Sequence, residues 1–208
     1  MIEYFVKYHE KFLDAFLEHV EIVLVTLLIS LVLASFIMVI TLKSKKLNNI
    51  IVQLFGAIYS IPSLALFALL IPIMGLGQDT AILVLVVYNQ FLLVRNISAG
   101  IYGVDESITE AATGMGMNWL QVLLKIQIPL AFPMIMAGIR LAVISTIGIA
   151  TIAATINAGG LGAILFQGLG SMNTYKIVWG TILCAVIAFV ADAGLKKVEK
   201  IVNRKVNR

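Results

Sequence analysis

Residues able to do chemistry are few in this chain of 208, and their placement excludes most reactions. The two histidines, His9 and His19, both sit near the start, and no H-E-x-x-H pair occurs. A membrane serine therefore has no histidine base, and an intramembrane hydrolase is not the reading. No G-x-x-x-x-G-K-[ST] phosphate loop occurs, so any ATP must be hydrolysed by another chain. The single cysteine, Cys184, lies in an apolar run, where it reads as a small packed side chain rather than half of an intrachain disulfide. No metal site and no resident cofactor are expected. What remains is a segment of polar and small residues at 110–129, in which Glu110, Ala111 and Ala112 are followed by Gly116, Trp119, Leu120, Ile126, Ile128 and Pro129. These types suit docking. Ala111 and Ala112 favour helix and let a partner approach closely. Gly116 can adopt backbone angles closed to other residues, so it can end that helix and turn the chain. Trp119 and Leu120 offer apolar anchors of the kind enriched at interfaces. Pro129 sets the entry into the next apolar run.

The elements around that segment are read from composition. Hydrophobic residues make up 61% of the chain and charged residues 12%, against about a quarter charged in a soluble domain. The expectation is an all-α integral membrane protein with about five spans of ~20 residues. These fall at about 20–42, 50–74, 80–101, 133–156 and 176–195. Residues 1–19 read as an amphipathic segment, either lying in the interface or extending the first span. Acidic residues among basic ones, with no small-residue cleavage site, argue against a secretory signal there. Pro62 and Pro72 fall inside the second span, so a kink or break is expected near Ser60–Ser63. Gly75, Gly77 and Asp79 read as a turn. The run 133–169 is too long for one perpendicular helix at ~1.5 Å per residue. Asn157-Ala158-Gly159-Gly160-Leu161-Gly162 breaks it, and a short re-entrant or surface helix is expected after the break. Residues 196–208 form a basic tail.

Charge sets the expected orientation. With five spans and the tail in the cytoplasm, the N-terminus lies outside. The cytoplasmic side then holds twelve of the fifteen lysines and arginines: Lys43, Lys45, Lys46, Arg95, Lys125, Arg140 and six in the tail. Lys7, Lys11 and Lys176 fall outside. This places 102–130 in the cytoplasm.

Several polar residues fall at membrane depth. Tyr59, Ser60, Tyr88, Asn89, Ser145, Thr146, Thr151, Thr155 and Asn157 either line a translocation path or hydrogen-bond between helices. Arg95 and Arg140 each cost ~2.5–3.5 kcal/mol at the bilayer centre. Both lie near predicted cytoplasmic ends, where snorkelling accounts for them and a gate role is the alternative. Asp192 can pair with Lys196 at i,i+4. Gly159, Gly160 and Gly162 allow close packing or a hinge at the outer face.

The spacing from Glu110 to Pro129 resembles E-A-A-x-x-x-G-x(9)-I-x-L-P, the coupling-loop signature of permease subunits in type I ATP-binding-cassette importers, with Ile128 in place of Leu. Ile61-Pro62-Ser63-Leu64-Ala65, Arg95-Asn96, Val104-Asp105 and Gly114-Met115-Gly116-Met117 extend the likeness. So do the run from Pro133 to Arg140 and Ala158-Gly159-Gly160-Leu161-Gly162. Three of these, Ile-Pro-Ser-Leu-Ala and the last two runs, are similar to the osmoprotectant branch. The resemblance spans about 20–195. It implies a MetI-like transmembrane domain in a bacterial inner membrane and a second permease copy or a sister permease. It also implies two ABC ATPase subunits carrying ATP and magnesium, and an extracytoplasmic substrate-binding protein; nucleic acid has no part. Glycine betaine, carnitine or choline is the implied solute. Another small solute, such as an amino-acid derivative or a bile acid, and a stand-alone carrier are the alternatives. Aromatic faces suit a quaternary ammonium, which makes Tyr59 and Tyr88 the candidates of most interest.

Overall fold

The break in the second apolar run organises the bundle around it. A computed structural model describes residues 1–42 and 44–206, with side chains through Arg204. Lys43, Arg208 and the side chain of Lys205, all counted among the cytoplasmic cations, lie outside the described residues. In chain order the helices are α1 (Ile2–Lys7), α2 (His9–Thr41), α3 (Lys45–Tyr59), α4 (Ser63–Met74) and α5 (Gln78–Tyr102). There follow α6 (Glu106–Gly114), α7 (Trp119–Val122), α8 (Ile128–Ala153), α9 (Gly160–Gly170) and α10 (Thr174–Val206). Among the described residues four helical stretches are long and apolar enough to cross a membrane, and the pair α3 and α4, bent by 93°, is the fifth candidate. Ile61 precedes Pro62, which disfavours helix there, and Pro62 itself opens α4 with ψ 134°. Pro72 stays within α4. Gly75 and Gly77 both have positive φ and make the turn into α5.

Of the two readings of residues 1–19, the structure has the one in which most of the segment extends the first helix. Residues 9–19 are not a separate amphipathic element; α2 runs unbroken through 33 residues, about 50 Å at ~1.5 Å per residue. Neither glycine nor proline occurs between His9 and Thr41, so nothing in the backbone stops the helix. Only α1 stands apart, and the chain turns at Tyr8.

At the centre stands α5. Val84, Leu85, Leu93 and Val94 are buried, as are the polar Tyr88, Asn89 and Gln90. It packs on α8 through small residues. A Cβ on Gly100 would lie 3.1 Å from the Ala131 carbonyl oxygen, and one on Gly138 only 2.6 Å from the Asn96 Cβ. On the outside, α10 exposes Val186, Phe189 and Val190, and α2 exposes Leu28, Val32 and Phe36.

The entry into α8 is helical, not loop. α7 continues through a π-turn at Leu123–Gln127, closed by the Ile128 N–H donating to the Leu123 carbonyl. Pro129 follows at once. Its ring cannot donate to the Lys125 carbonyl and would crowd it, and the widened turn relieves both problems. The other end of α8 tightens into a 3-10 turn at Ala154–Ile156. α9 has 11 residues, about 16 Å, which is too short to cross ~30 Å of hydrocarbon.

Candidate coupling segment and transport pathway

Residues 103–127 fold at the end of the bundle where α2, α3 and α5 meet. The Tyr102 hydroxyl donates to the Thr41 carbonyl at 3.1 Å, and Lys45 pairs with Glu106 at 3.6 Å. Below them Asn48 Oδ1 accepts from Ser98 Oγ at 2.8 Å and from Thr41 Oγ1 at 3.3 Å. Three helices are thus tied by one buried polar cluster under the segment.

Local chemistry shapes the segment itself. Asp105 caps α6, accepting from the Ser107 N–H at 2.9 Å. That bond holds the Asp105 carboxyl below the ordinary aspartate range. Glu110 and Ala111 are exposed on α6, whereas Ala112 is buried against the bundle. The turn after α6 needs Gly116, whose φ is +88°. Asn118 and Gln121 then form a reciprocal capping box, both bonds 2.9 Å, that starts α7. Trp119 and Leu120 are about half exposed, and Met115 is 74% exposed. Ile126, Ile128 and Pro129 are half-buried where the segment joins α8. The result is a short helix pair, capped at both starts, that carries an apolar edge outward. Beneath it lies a cavity of about 320 Å³ bounded by Tyr102, Thr109, Met117 and Trp119.

The pathway candidates separate into groups. Tyr59 and Tyr88 come together, with ring centroids 5.3 Å apart, and Phe91 joins them 5.1 Å from Tyr59. The Tyr88 hydroxyl donates to the Ile61 carbonyl, which ties α5 to the break after α3. Arg95 is exposed and stands 5.5 Å from the Phe91 ring. Ser60 only caps its own helix, donating to the Gly56 carbonyl at 2.9 Å.

Asn89 is buried and bonds between helices, donating to Thr146 Oγ1 at 2.9 Å and Ser30 Oγ at 3.3 Å. Thr151 and Thr155 bond within α8 and the 3-10 turn that ends it, and Ser145 is half-buried.

Arg140 is held by two carboxylates of α10. It does not snorkel alone: its Nε donates to Asp192 at 2.8 Å, and a second guanidinium nitrogen lies 3.5 Å from Glu199. Asp192 also holds Lys196 at 2.7 Å. The local pair is thus one arm of a cluster that fastens α8 to α10.

The glycine run closes the far end. Asn157, Gly159 and Gly160 all have positive φ. The Gly160 N–H donates to Glu18 Oε2 at 2.9 Å, so a carboxylate of α2 sits on the first turn of α9. A Cβ on Gly162 would overlap the Thr151 backbone, so that position is a packing contact between α8 and α9.

Phe91, Asn48, Ser98 and Glu18 carry contacts that sequence reasoning missed. An aromatic ring in an apolar span has no contrast with its surroundings, although Phe91 and Arg95 at i,i+4 are a readable pair. Glu18 finds its partner 142 positions away, and no sequence signal marks that.

A helical bundle with several candidate spans and a folded, outward-facing segment between two of them defines the class of multi-pass membrane proteins. The chain belongs to the family of the binding-protein-dependent transport system inner membrane component, whose model matches residues 26–208. It is 41% identical over 167 residues to the carnitine transport permease protein OpuCD of Listeria monocytogenes serotype 1/2a (strain 10403S), covering 80% of this chain and 75% of that one. It is 35% identical over 189 residues to the glycine betaine/carnitine/choline transport system permease protein OpuCB of Bacillus subtilis (strain 168), covering 90% and 87%. Its fold matches a chain of the MetNI methionine ABC transporter in an inward-facing conformation, with a TM-score of 0.82 at 21% identity, covering 92% of this chain and 95% of that one.

Proposed function

We propose that this chain is the permease of an ATP-driven importer for a small trimethylammonium osmoprotectant: glycine betaine, carnitine or choline. The observation that carries the reading is the segment from Asp105 to Gln127. A helix capped at its start and turned at Gly116 presents Met115, Trp119 and Leu120 outward at one end of the bundle. Two partner ATPase subunits, each with ATP and magnesium, press on this edge from the cytoplasm. The π-turn before Pro129 makes the segment continuous with α8, so a push on α7 tilts a spanning helix. This subunit hydrolyses nothing itself. It pairs with a second copy or a sister permease and receives solute from an extracytoplasmic binding protein.

The solute class rests on the named relatives, and the aromatic group at the α3–α5 contact supports it. A trimethylammonium cation is permanently charged and has no N–H to donate, so ring faces are its natural partners. The half-buried Tyr59 and Phe91 supply two ring faces, and the buried Tyr88 packs beside Tyr59. Arg95 stands one turn beyond Phe91 and suits the carboxylate that betaine and carnitine carry and choline lacks. A weak passing site is all that a permease needs.

The test is reconstitution with the ATPase and the binding protein in proteoliposomes. Betaine, carnitine or choline should stimulate hydrolysis and accumulate inside, and proline or methionine should not. Stimulation by methionine alone would reject the solute class. Hydrolysis by the purified permease without its ATPase would reject the subunit's role.

A further inference from the structure

A cavity of about 350 Å³ lies where the start of α2 meets the turn from α9 into α10. Tyr4 and Tyr8 line one side, and Ser171 and Asn173 the other. Its apolar wall is Phe12 of α2 and Ile164 of α9, both buried. The Asn173 amide donates to the Tyr4 hydroxyl at 3.4 Å, and Asn173 Oδ1 accepts from the Lys176 N–H at 3.2 Å. Tyr4 also stacks on Tyr175 with ring centroids 5.2 Å apart, and Trp179 Nε1 donates to the Met1 carbonyl at 3.1 Å. Both sides of the cavity are thus fastened to each other.

The charge in this cavity is uncompensated. Lys11 and Lys176 line it, and neither forms an ion pair among the described residues. No carboxylate lines it with them among the described residues. Lys176 is half-buried. A cation that gives up part of its water without a partner is costly, and an anion between the two lysines offsets that cost.

Depth decides which anion. On α10 twenty positions separate Lys176 from Lys196, about 30 Å at ~1.5 Å per residue. That is the thickness of a bilayer's hydrocarbon core, ~30 Å. With Lys196 at one edge of the core, Lys176 stands at the other, at the level of the headgroups. Tyr4, Tyr8, Tyr175 and Trp179 gather around the same place, and tyrosine and tryptophan concentrate at that level. α1, α9 and the turn before α10 also expose Ile2, Val6, Leu169 and Met172. A soluble anion has no use for apolar residues around its site, and a neutral lipid has no use for the two cations.

We propose that this cavity holds the phosphate of an anionic phospholipid between Lys11 and Lys176, in the outer leaflet of the orientation that the charge count sets. The lipid bridges α2 to α10 at the end opposite the coupling segment. It shares no residue with the aromatic group assigned to the solute, so it does not depend on which solute is carried.

The test uses the assembled transporter, equilibrated with equal phosphatidylglycerol and phosphatidylcholine and then delipidated. Retained lipid is counted by mass spectrometry. The wild type should keep phosphatidylglycerol in preference. Lys11→Gln with Lys176→Gln should weaken its retention roughly thirty-fold, at about fivefold per cation near the surface. Lys7→Gln is the control: Lys7 stands over the Tyr8 ring and does not line the cavity, so retention should change by less than about fivefold. Gln167→Trp attacks the space instead, from an exposed position of α9 that lines the cavity. It should abolish retention with both lysines intact. Equal retention of the two lipids by the wild type would overturn the proposal, as would unchanged retention in the double variant or in Gln167→Trp. A loss in Lys7→Gln as large as in the double variant would overturn it too, since the attraction would then be diffuse. Displacement of the lipid by millimolar inorganic phosphate at constant ionic strength would assign the cavity to a soluble anion. A double variant that kept its lipid and lost the binding protein would assign it to a protein contact, and either result would sink the lipid site.

Discussion

Replacing Gly116 with valine separates the turn between α6 and α7 from the rest of the bundle. The residue has φ +88°, where an L side chain is strained by roughly 1–2 kcal/mol. A Cβ at this position would meet no atom within 4 Å, so the substitution adds strain without a clash. Strain of that size makes the native turn roughly 5–30-fold less favourable relative to alternatives. If the ATPase grips the native turn, its affinity for the permease falls by the same factor. Gly114 is the control. It ends α6 in ordinary helical geometry with equally open space, and Gly114→Ala should be neutral or gain up to about 1 kcal/mol of helix. The assay titrates purified ATPase onto each solubilised variant and then measures solute uptake in proteoliposomes. Gly116→Val should bind ATPase 5–30-fold more weakly and lose uptake, while the binding protein's solute affinity stays unchanged. Wild-type ATPase affinity and uptake in Gly116→Val would refute the coupling role of this turn.

Three further outcomes are expected. Gly138→Ala places a Cβ 2.6 Å from that of Asn96 and should destabilise the subunit by about 1–3 kcal/mol; Gly148→Ala, with open space, should not, and thermal unfolding in detergent compares them. Asn89→Leu removes the bonds to Ser30 and Thr146, at about 0.6 kcal/mol each; unfolding in mixed micelles should show a loss near 1 kcal/mol, and no change would mean the network is idle. The depressed Asp105 carboxyl gives the α6 cap a pH signature. A folded-state value below the unfolded one contributes stability above the unfolded value and loses it as pH falls through the folded one. Hydrogen exchange in α6 should therefore be equally protected at pH 7 and pH 5, once corrected for intrinsic rate, and weaken only below the ordinary aspartate range; loss of protection by pH 5 would contradict the cap.

Charge contrast along the chain is enough to sort its segments to the two ends of the bundle. Lys45 and Glu106, at opposite ends of about sixty residues, meet at one end. Lys11 and Lys176, two of the cations counted as external, line one cavity at the other end. Patterning was less informative for α2, where the polar stripe near the start left an interfacial helix and an extension of the first span equally open, and the structure has the extension. Amphipathicity reports which face is wet, and it does not report where a helix stops. A breaker does, and none occurs between His9 and Thr41, although the turn at Tyr8 forms without one.

The sequence by itself determined what depends on local backbone constraint and on solvent. The break at Pro62, the turn at Gly116, the entry at Pro129 and the membrane class follow from residues that limit φ or that water rejects. Tertiary structure decided the long-range pairs. Arg140 meets Asp192 across 52 positions, Glu18 meets Gly160 across 142, and Tyr59, Tyr88 and Phe91 share one contact. The physical reason is that an uncharged medium leaves each buried polar group several partners of similar value. Which one it takes is set by how the helices cross, and that depends on the whole bundle at once.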